Sequence, residues 1–393
     1  MSNMKRSMRR VFWLLALCFF LLLGYLCKIA LIDGDEISGN AYNHRLRYVD
    51  ETIRRGDILD REGEILATSV LQNDGTYYRE YPRARMAAHI TGYSSVAKSG
   101  VEASENFTLM ALKNEFFQRV SGIIRKTELM GNSVALTVDM DIQSTAGNLL
   151  GSAKGAVVVM EPSTGRVLAL QAYPDFNPNS VATQWETLKD HKDSPLVNRA
   201  TQGVYPPGST FKTVTALAAM EHYPNWQNFT VECTGEMDFQ DKVIHCYNNR
   251  AHGTVDMKAA LAASCNCYFA ELGEKIGYHK IIGVASKMGF GRKTMNDFPE
   301  EIEGNLPRIE KLGPWDTSNL SIGQGELLVT PLQICQMTAA VANGGYLVMP
   351  KVILNDSVEK TKVVDNDNIL RLRKCMKEVM ISGTAKGEWI LDV

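Results

Sequence analysis

The 393-residue sequence has almost no net charge, −2 at pH 7. No global field therefore directs it to nucleic acid or to an acidic polymer. It has no internal repeat and no low-complexity stretch, which excludes a solenoid or a disordered array. A single long hydrophobic run is present. No small-x-small cleavage site follows it, and Leu26 stands where a lipidated cysteine would need a small residue before it. A removed leader and a lipid anchor at Cys27 are both disfavoured. His245, Cys246 and His252 do not follow the spacing of a structural zinc site, so no metal and no cofactor is expected. What remains is an ordinary core-forming composition, 45% hydrophobic and 22% charged. The length is too great for one typical domain.

Charge is uneven at one place. Lys5, Arg6, Arg9 and Arg10 precede the uncharged run Val11 to Cys27, which resumes after Lys28 as Ile29 to Ile32. As a helix at ~1.5 Å per residue it would measure about 33 Å, enough to cross a ~30 Å hydrocarbon core. Lys28 can extend its amine to the headgroups, and the preceding cations hold the N-terminus inside. The expected organisation is a cytoplasmic basic segment at 1–10, a single-pass membrane anchor at 11–32 and an extracytoplasmic body. In that compartment Cys233 and Cys246 could pair as a disulfide. Cys265, Cys267, Cys335 and Cys375 lie in apolar helical contexts and read as small buried side chains.

The body divides in two. Residues 33–150 read as a small module of extended segments and turns. Within it, Ile58-Leu59, a turn at Asp60-Arg61-Glu62-Gly63 and Ile65-Leu66-Ala67 predict a hairpin. Asn132 to Val138 predicts a strand, followed by a helix over Asp141 to Leu150. Residues 151–393 open on a second hairpin, Ala156 to Met160 and Arg166 to Leu170 about the turn Glu161 to Gly165. Helical patterns follow over Ser209–Met220, Val255–Gly273, Thr330–Asn343 (stopped by Gly344-Gly345) and Asp367–Ile381. The class is α+β: an antiparallel sheet packed against a helical block.

Two groups of residues can carry chemistry. In Pro206-Pro207-Gly208-Ser209-Thr210-Phe211-Lys212, Ser209 opens a helix and Lys212 lies three residues on, on the same face. A serine needs a base to become a nucleophile, and a buried lysine of lowered pKa can serve. The helix N-terminus adds positive potential where an oxyanion would develop. The plain alternative is a capped helix with a lysine on its first turn. Ser264-Cys265-Asn266 offers a proton relay at Ser264 and an amide binder at Asn266, or else two buried hydrogen-bonding side chains.

Together with Tyr205, the Glu161–Gly165 hairpin, Ser321-Ile322-Gly323-Gln324-Gly325 followed by Thr330-Pro331, the segment Arg55–Ala67 and His89–Tyr93, these residues resemble a class B penicillin-binding protein of the small penicillin-binding protein A type. The resemblance runs from about residue 46 to 387. It implies a penicillin-binding/β-lactamase-like transpeptidase domain at 151–393 behind a pedestal or dimerisation-like module at 33–150. The implied activity is D,D-transpeptidation: Ser209 attacks the D-Ala-D-Ala carbonyl of a peptidoglycan stem peptide, with Lys212, Ser264 and Asn266 as catalytic partners. Gly323, Gln324 and Gly325 would line the substrate site, and β-lactams would acylate Ser209. Cell-wall synthesis or division proteins are the implied partners, with no nucleic acid.

The resemblance also implies a Lys-Thr-Gly strand after the last helix. The sequence instead reads Gly383-Thr384-Ala385-Lys386-Gly387 and runs to Val393. The expectation is a chain truncated before that motif and a poor enzyme. Two other readings stand beside it, a non-catalytic wall-assembly partner and a β-lactamase or β-lactam sensor. The Arg55–Ala67 module speaks against the last.

Overall fold

The computed structural model describes residues 2–31, 53–110, 130–239, 242–295, 297–308 and 313–387. The expectations for residues 32–52, 111–129 and 388–393 lie outside the described residues. The chain forms two compact units. One comprises Met1–Gly56, Ser69–Tyr78 and Asn106–Asn132. It begins with helix α1, Ser2–Leu31. Elsewhere in this unit the Gly56 amide donates to the Leu109 carbonyl at 2.8 Å and the Gly131 amide to the Arg54 carbonyl at 2.8 Å. A Cβ at Gly131 would lie 1.6 Å from the Leu109 oxygen, so only glycine permits this approach.

Helix α1 is 30 residues long. Among the described residues, no helix is long and apolar enough to cross a membrane. Of the span expected over 11–32, residues 11–31 are helical, and the span is supported no further.

The larger unit holds Asp57–Thr68, Arg79–Glu105 and Ser133–Val393. Strands β1, Ile58–Leu59, and β2, Ile65–Leu71, form the expected hairpin, with Ile58 opposite Ala67. Its turn is held by Asp60, whose Oδ1 accepts from the amides of Glu62 and Glu64 at 2.9 and 2.8 Å, and by Gly63 at φ +90°. Strand β3, Val134–Ala135, runs parallel to β1. It is shorter than the sequence pattern suggested, because Thr137 and Asp139 turn their amides to the Val352 and Leu168 carbonyls instead. Asp139 caps helix α2, Met140–Leu150, accepting from the amides of Asp141 and Ile142.

Strands β4, Gly155–Met160, and β5, Val167–Tyr173, pair antiparallel with Val158 opposite Leu170. α2 packs on β5. The amide of Gln143 fixes the contact, donating to the Leu170 carbonyl and accepting from its N–H.

The helical block is built around α3, Lys212–His222, which follows a 3₁₀ turn at Gly208–Phe211. Every residue from Val214 to Met220 is buried, as expected of a helix whose apolar residues run all round. Around it stand strands β6 (Val231–Cys233), β7 (Glu236–Phe239), β8 (Lys242–His245) and β9 (Gly253–Val255). Helices α4 (Met257–Ala262), α5 (Asn266–Ile276), α6 (Tyr278–Lys287) and α7 (Pro314–Ser321) complete this part. Helix α8, Pro331–Ala342, is set by a capping box between Thr330 and Gln333 and packs on β4. After the hairpin of β10 (Tyr346–Val348) and β11 (Lys360–Lys362) comes α9, Asn366–Ile381. A sheet against a helical block is therefore what forms.

One expectation is corrected. Val255–Gly273 is not one helix. Asp256 starts α4, Ser264 takes a left-handed φ of +52°, and the Cys265 sulfur accepts from the Tyr268 amide at 3.5 Å to start α5. The residues from Met257 onward all suit a helix, and the break is imposed by what Ser264 must hold.

Leu217 is 1% exposed at the centre of the core that α3 organises. Leu217→Ala should lower stability by about 2–5 kcal/mol, the cost of a cavity of that size. Urea denaturation followed by tryptophan fluorescence would read it, and an unchanged midpoint would contradict this account of the core.

Candidate active site

Two prolines and Gly208, at φ +57°, deliver the chain into the 3₁₀ turn that carries Ser209. The approach is clamped on both sides. Tyr205 exchanges backbone hydrogen bonds with Val329, both 2.9 Å, and the Gly208 amide donates to the Gly323 carbonyl at 2.9 Å. Gly323 has φ +73°, and a Cβ there would stand 2.1 Å from the Gly208 oxygen. The Gly323-Gln324-Gly325 loop is thus pressed, at Gly323, against the turn bearing the serine. Ser209 itself is exposed and Lys212, one turn inward, is 1% exposed.

The Lys212 ammonium has three hydrogen-bond acceptors, one for each N–H. They are the Ser264 carbonyl at 2.7 Å, Ser264 Oγ at 3.0 Å and Asn266 Oδ1 at 2.6 Å. Ser264 Oγ lies 2.8 Å from Ser209 Oγ. Among the described residues Lys212 reaches Ser209 through Ser264, and not directly as the three-residue spacing suggested. The Phe269 ring, 5.8 Å from Nζ, closes the inner side. Burial lowers the Lys212 pKa to about 8, because a low-dielectric surround disfavours the charged form. At neutral pH a useful fraction of the amine is therefore uncharged. In that state the chain of hydrogen bonds can reverse: Ser209 donates to Ser264, and Ser264 to the Lys212 lone pair. Such an arrangement is able to activate a serine hydroxyl through a second serine.

Asn266 is held at both ends. Its Oδ1 accepts from Lys212, and its Nδ2 donates to the His245 carbonyl at 2.7 Å. Beside Ser209 opens a mostly apolar cavity of about 560 Å³, lined by Val158 and Met160 of β4, Pro207, Thr210, and Ile334 and Thr338 of α8. Its size suits a small organic or peptide group. His89, named above for its sequence context, is buried, donates toward no charge, and lies 3.2 Å from the Pro174 carbonyl. Burial holds its pKa near 4, so it stays neutral and serves packing.

A feature that sequence reasoning missed lies behind the Ser264–Asn266 turn. Cys233, Cys246, Cys265 and Cys267 are free thiols, and the first three bring their sulfurs together with Nδ1 of His252. Cys233 and Cys246 are 3.7 Å apart and unbonded. The available signal was Cys265 itself, a cysteine between two functional residues. Its partners lie 13 to 32 positions upstream, at the end of β6, just after β8 and just before β9, which no local spacing rule brings together.

Residues 155–391 match the model of the penicillin binding protein transpeptidase domain, and residues 55–134 that of the penicillin binding protein A dimerisation domain. The peptidoglycan D,D-transpeptidase MrdA of Acinetobacter baumannii is 31% identical over 367 residues, which cover 79% of this chain and 54% of that protein. The peptidoglycan D,D-transpeptidase PbpA of Mycolicibacterium smegmatis is 31% identical over 376 residues, covering 89% of this chain and 75% of that one. This chain thus spans about half the length of the first relative and three quarters of the second. Among solved structures, the imipenem acyl-enzyme complex of penicillin-binding protein A from M. tuberculosis has a TM-score of 0.76 at 26% identity, covering 84% of this chain and 82% of that one. The D,D-transpeptidase domain of a peptidoglycan glycosyltransferase from Eggerthella lenta has a TM-score of 0.77 at 29% identity, covering 87% and 85%.

If Lys212 is the base for Ser209, as the hydrogen-bonded line allows, Ser209 reactivity depends on the neutral form of Lys212. Single-turnover modification of Ser209 by a serine-directed electrophile should speed up between pH 7 and pH 9, with a midpoint near the Lys212 pKa of about 8. A rate flat across that interval would remove Lys212 as the base.

Proposed function

The chain belongs to the penicillin-binding protein transpeptidase family, and from that premise we propose that it is a peptidoglycan D,D-transpeptidase acting through an acyl-enzyme on Ser209. The observation that carries the reading is the hydrogen-bonded line from Ser209 through Ser264 to the buried Lys212. Ser209 Oγ attacks the carbonyl carbon of the penultimate D-Ala of a stem peptide as its proton passes by way of Ser264 to Lys212. The Ser209 N–H, in the first turn where helical amides lack intrahelical partners, faces the developing oxyanion. The C–N bond breaks, the proton returns to the leaving nitrogen, and D-Ala departs. The amine of a neighbouring stem peptide then attacks the ester, its proton restores Ser209, and a cross-link remains. A β-lactam would acylate Ser209 by the first half of this sequence, and the acyl-enzyme complex of the mycobacterial relative supports that. In the substrate complex Gly323, Gln324 and Gly325 would border the peptide, being packed against the Ser209 turn.

The test is labelling of the detergent-solubilised 393-residue chain with fluorescent penicillin, followed by peptide mass spectrometry. An adduct on Ser209 that disappears in Ser209→Ala is expected. In Lys212→Ala, labelling should slow by about 10²–10⁴, the usual scale for loss of a general base. Absence of an adduct on a folded wild-type chain would defeat the proposal and favour the non-catalytic wall-assembly reading. For that second reading the support is the match of residues 55–134 to a dimerisation domain, which fits contacts with other wall-synthesis or division proteins. Fast release of the label would instead indicate a β-lactamase.

The extracytoplasmic placement belongs to the same proposal. Lys5, Arg6, Arg9 and Arg10 lie in the first turns of α1, ahead of the apolar run whose Phe12, Trp13, Leu15, Phe19 and Leu22 side chains are all exposed. Cations ahead of such a run hold the N-terminus in the cytoplasm, with residues after 32 outside. Protease added to right-side-out spheroplasts should digest the body and spare an N-terminal tag, and protection of the body would reverse the assignment.

A further inference from the structure

Donor atoms from Cys233, Cys246, His252 and Cys265 all lie within 4.8 Å of one another. Cys233 Sγ is 3.7 Å from Cys246 Sγ and 3.4 Å from His252 Nδ1, and Cys246 Sγ is 3.8 Å from Cys265 Sγ. In a tetrahedral zinc site with bonds of ~2.3 Å to sulfur and ~2.0 Å to nitrogen, neighbouring ligands are separated by roughly 3.5–3.8 Å. Three of the six edges of such a tetrahedron are thus already at their bonded spacing, and all six lie within 4.8 Å. They are far from the ~2.05 Å of a disulfide, and pairing any two of these thiols would leave the third beside the imidazole. The three cysteines are 1%, 3% and 0% exposed and His252 is half-buried, so the sulfurs are closed to bulk water and the imidazole forms the outer side of the group. Three soft thiolates with one imidazole select zinc over magnesium or calcium.

We propose that Cys233, Cys246, His252 and Cys265 form a structural zinc site that fastens the β6–β9 region to the Ser264–Asn266 turn. Three of its ligands already share one backbone frame. Cys233 ends β6 and stands opposite Gly253 of β9. The His252 amide donates to the Cys233 carbonyl at 3.0 Å, and the Cys246 amide to the Gly235 carbonyl at 2.9 Å. The fourth, Cys265, is the residue between Ser264 and Asn266. The metal would therefore hold from behind the turn whose front holds Lys212, alongside the Asn266 to His245 hydrogen bond. Cys267, with its sulfur 3.6 Å from that of Cys246, lies beside the tetrahedron and is outside the ligand set. On binding, each of the three thiols gives up its proton to solvent, and the ion gains three sulfur ligands and Nδ1 of His252.

The test is the metal content of the full-length chain in detergent, purified under reducing conditions without chelator and measured by inductively coupled plasma mass spectrometry. About one zinc per chain is expected in the wild type and in Cys375→Ser, which alters a thiol outside the cluster. It should be lost in Cys233→Ser and in His252→Ala. Cobalt added to the metal-stripped chain should give the intense visible bands of a tetrahedral thiolate site, absent from both ligand variants. A folded wild type holding neither zinc nor cobalt overturns the proposal, as does equal zinc in wild type and ligand variants. The consequence for Ser209 rests on the transpeptidase reading, and penicillin labelling separates the two. Stripping the metal should slow labelling at least tenfold, and zinc should restore it. A zinc-loaded, folded chain that takes no label would count against the transpeptidase reading while leaving the metal site standing.

Discussion

The structure turns on one buried cation. An ammonium out of water costs several kcal/mol unless its protons all find acceptors, and Lys212 is 1% exposed. The acceptors come from a single turn, as the Ser264 carbonyl, the Ser264 hydroxyl and the Asn266 side chain. A carbonyl within a continuous helix would be spent on the amide four residues on. Ser264 therefore leaves the helix, at φ +52°, a conformation costing about 1–3 kcal/mol for a residue other than glycine. Charge-assisted hydrogen bonds offset that cost. The separation of α4 from α5 follows from the lysine.

The same contact links the buried and the exposed parts of the site. Ser264 Oγ touches both Lys212 and Ser209, so the inner charge is sensed at the surface hydroxyl. Such a relay works only if its members stay in place. Ser209 is held by the helix core beneath it, by the Tyr205–Val329 backbone pair and by Gly323 pressed against Gly208. Behind the turn, Cys265 points away from Lys212 into the cluster with Cys233, Cys246 and His252. Front and back of one short segment are thus tied to different parts of the fold, and a catalytic turn of few residues gains rigidity from contacts distant in sequence.

Much of the scaffold was legible residue by residue. The Asp60–Gly63 turn carries its own reason, an aspartate accepting two amides and a glycine with positive φ. Thr330 and Gln333 announce the start of α8, and Gly344 and Gly345 announce its stop with φ +65° and +87°. The strand expected over Asn132–Val138 came out shorter, since the amide of Thr137, and that of Asp139 just beyond it, found partners in Val352 and Leu168, positions that no local pattern names. The break at Ser264 was illegible for a similar reason. Alanine, leucine and tyrosine around it all favour helix, and the demand for its carbonyl arises 52 positions away in the chain.

By itself the sequence singled out the candidate residues for the chemistry: a serine at the start of a helical pattern, a lysine three residues on, and a Ser-x-Asn downstream. Turn chemistry, capping and the resemblance to penicillin-binding proteins are properties of short segments, and short segments are written in order. Only the tertiary structure decided how those residues connect. Lys212 reaches Ser209 through Ser264, Asn266 spends both ends of its amide within the protein, and three thiols from scattered positions meet one imidazole. Each of these depends on which strands and helices pack against each other. Packing minimises exposed apolar area and unpaired polar groups over the whole chain at once, so it places side chains by global rather than local rules.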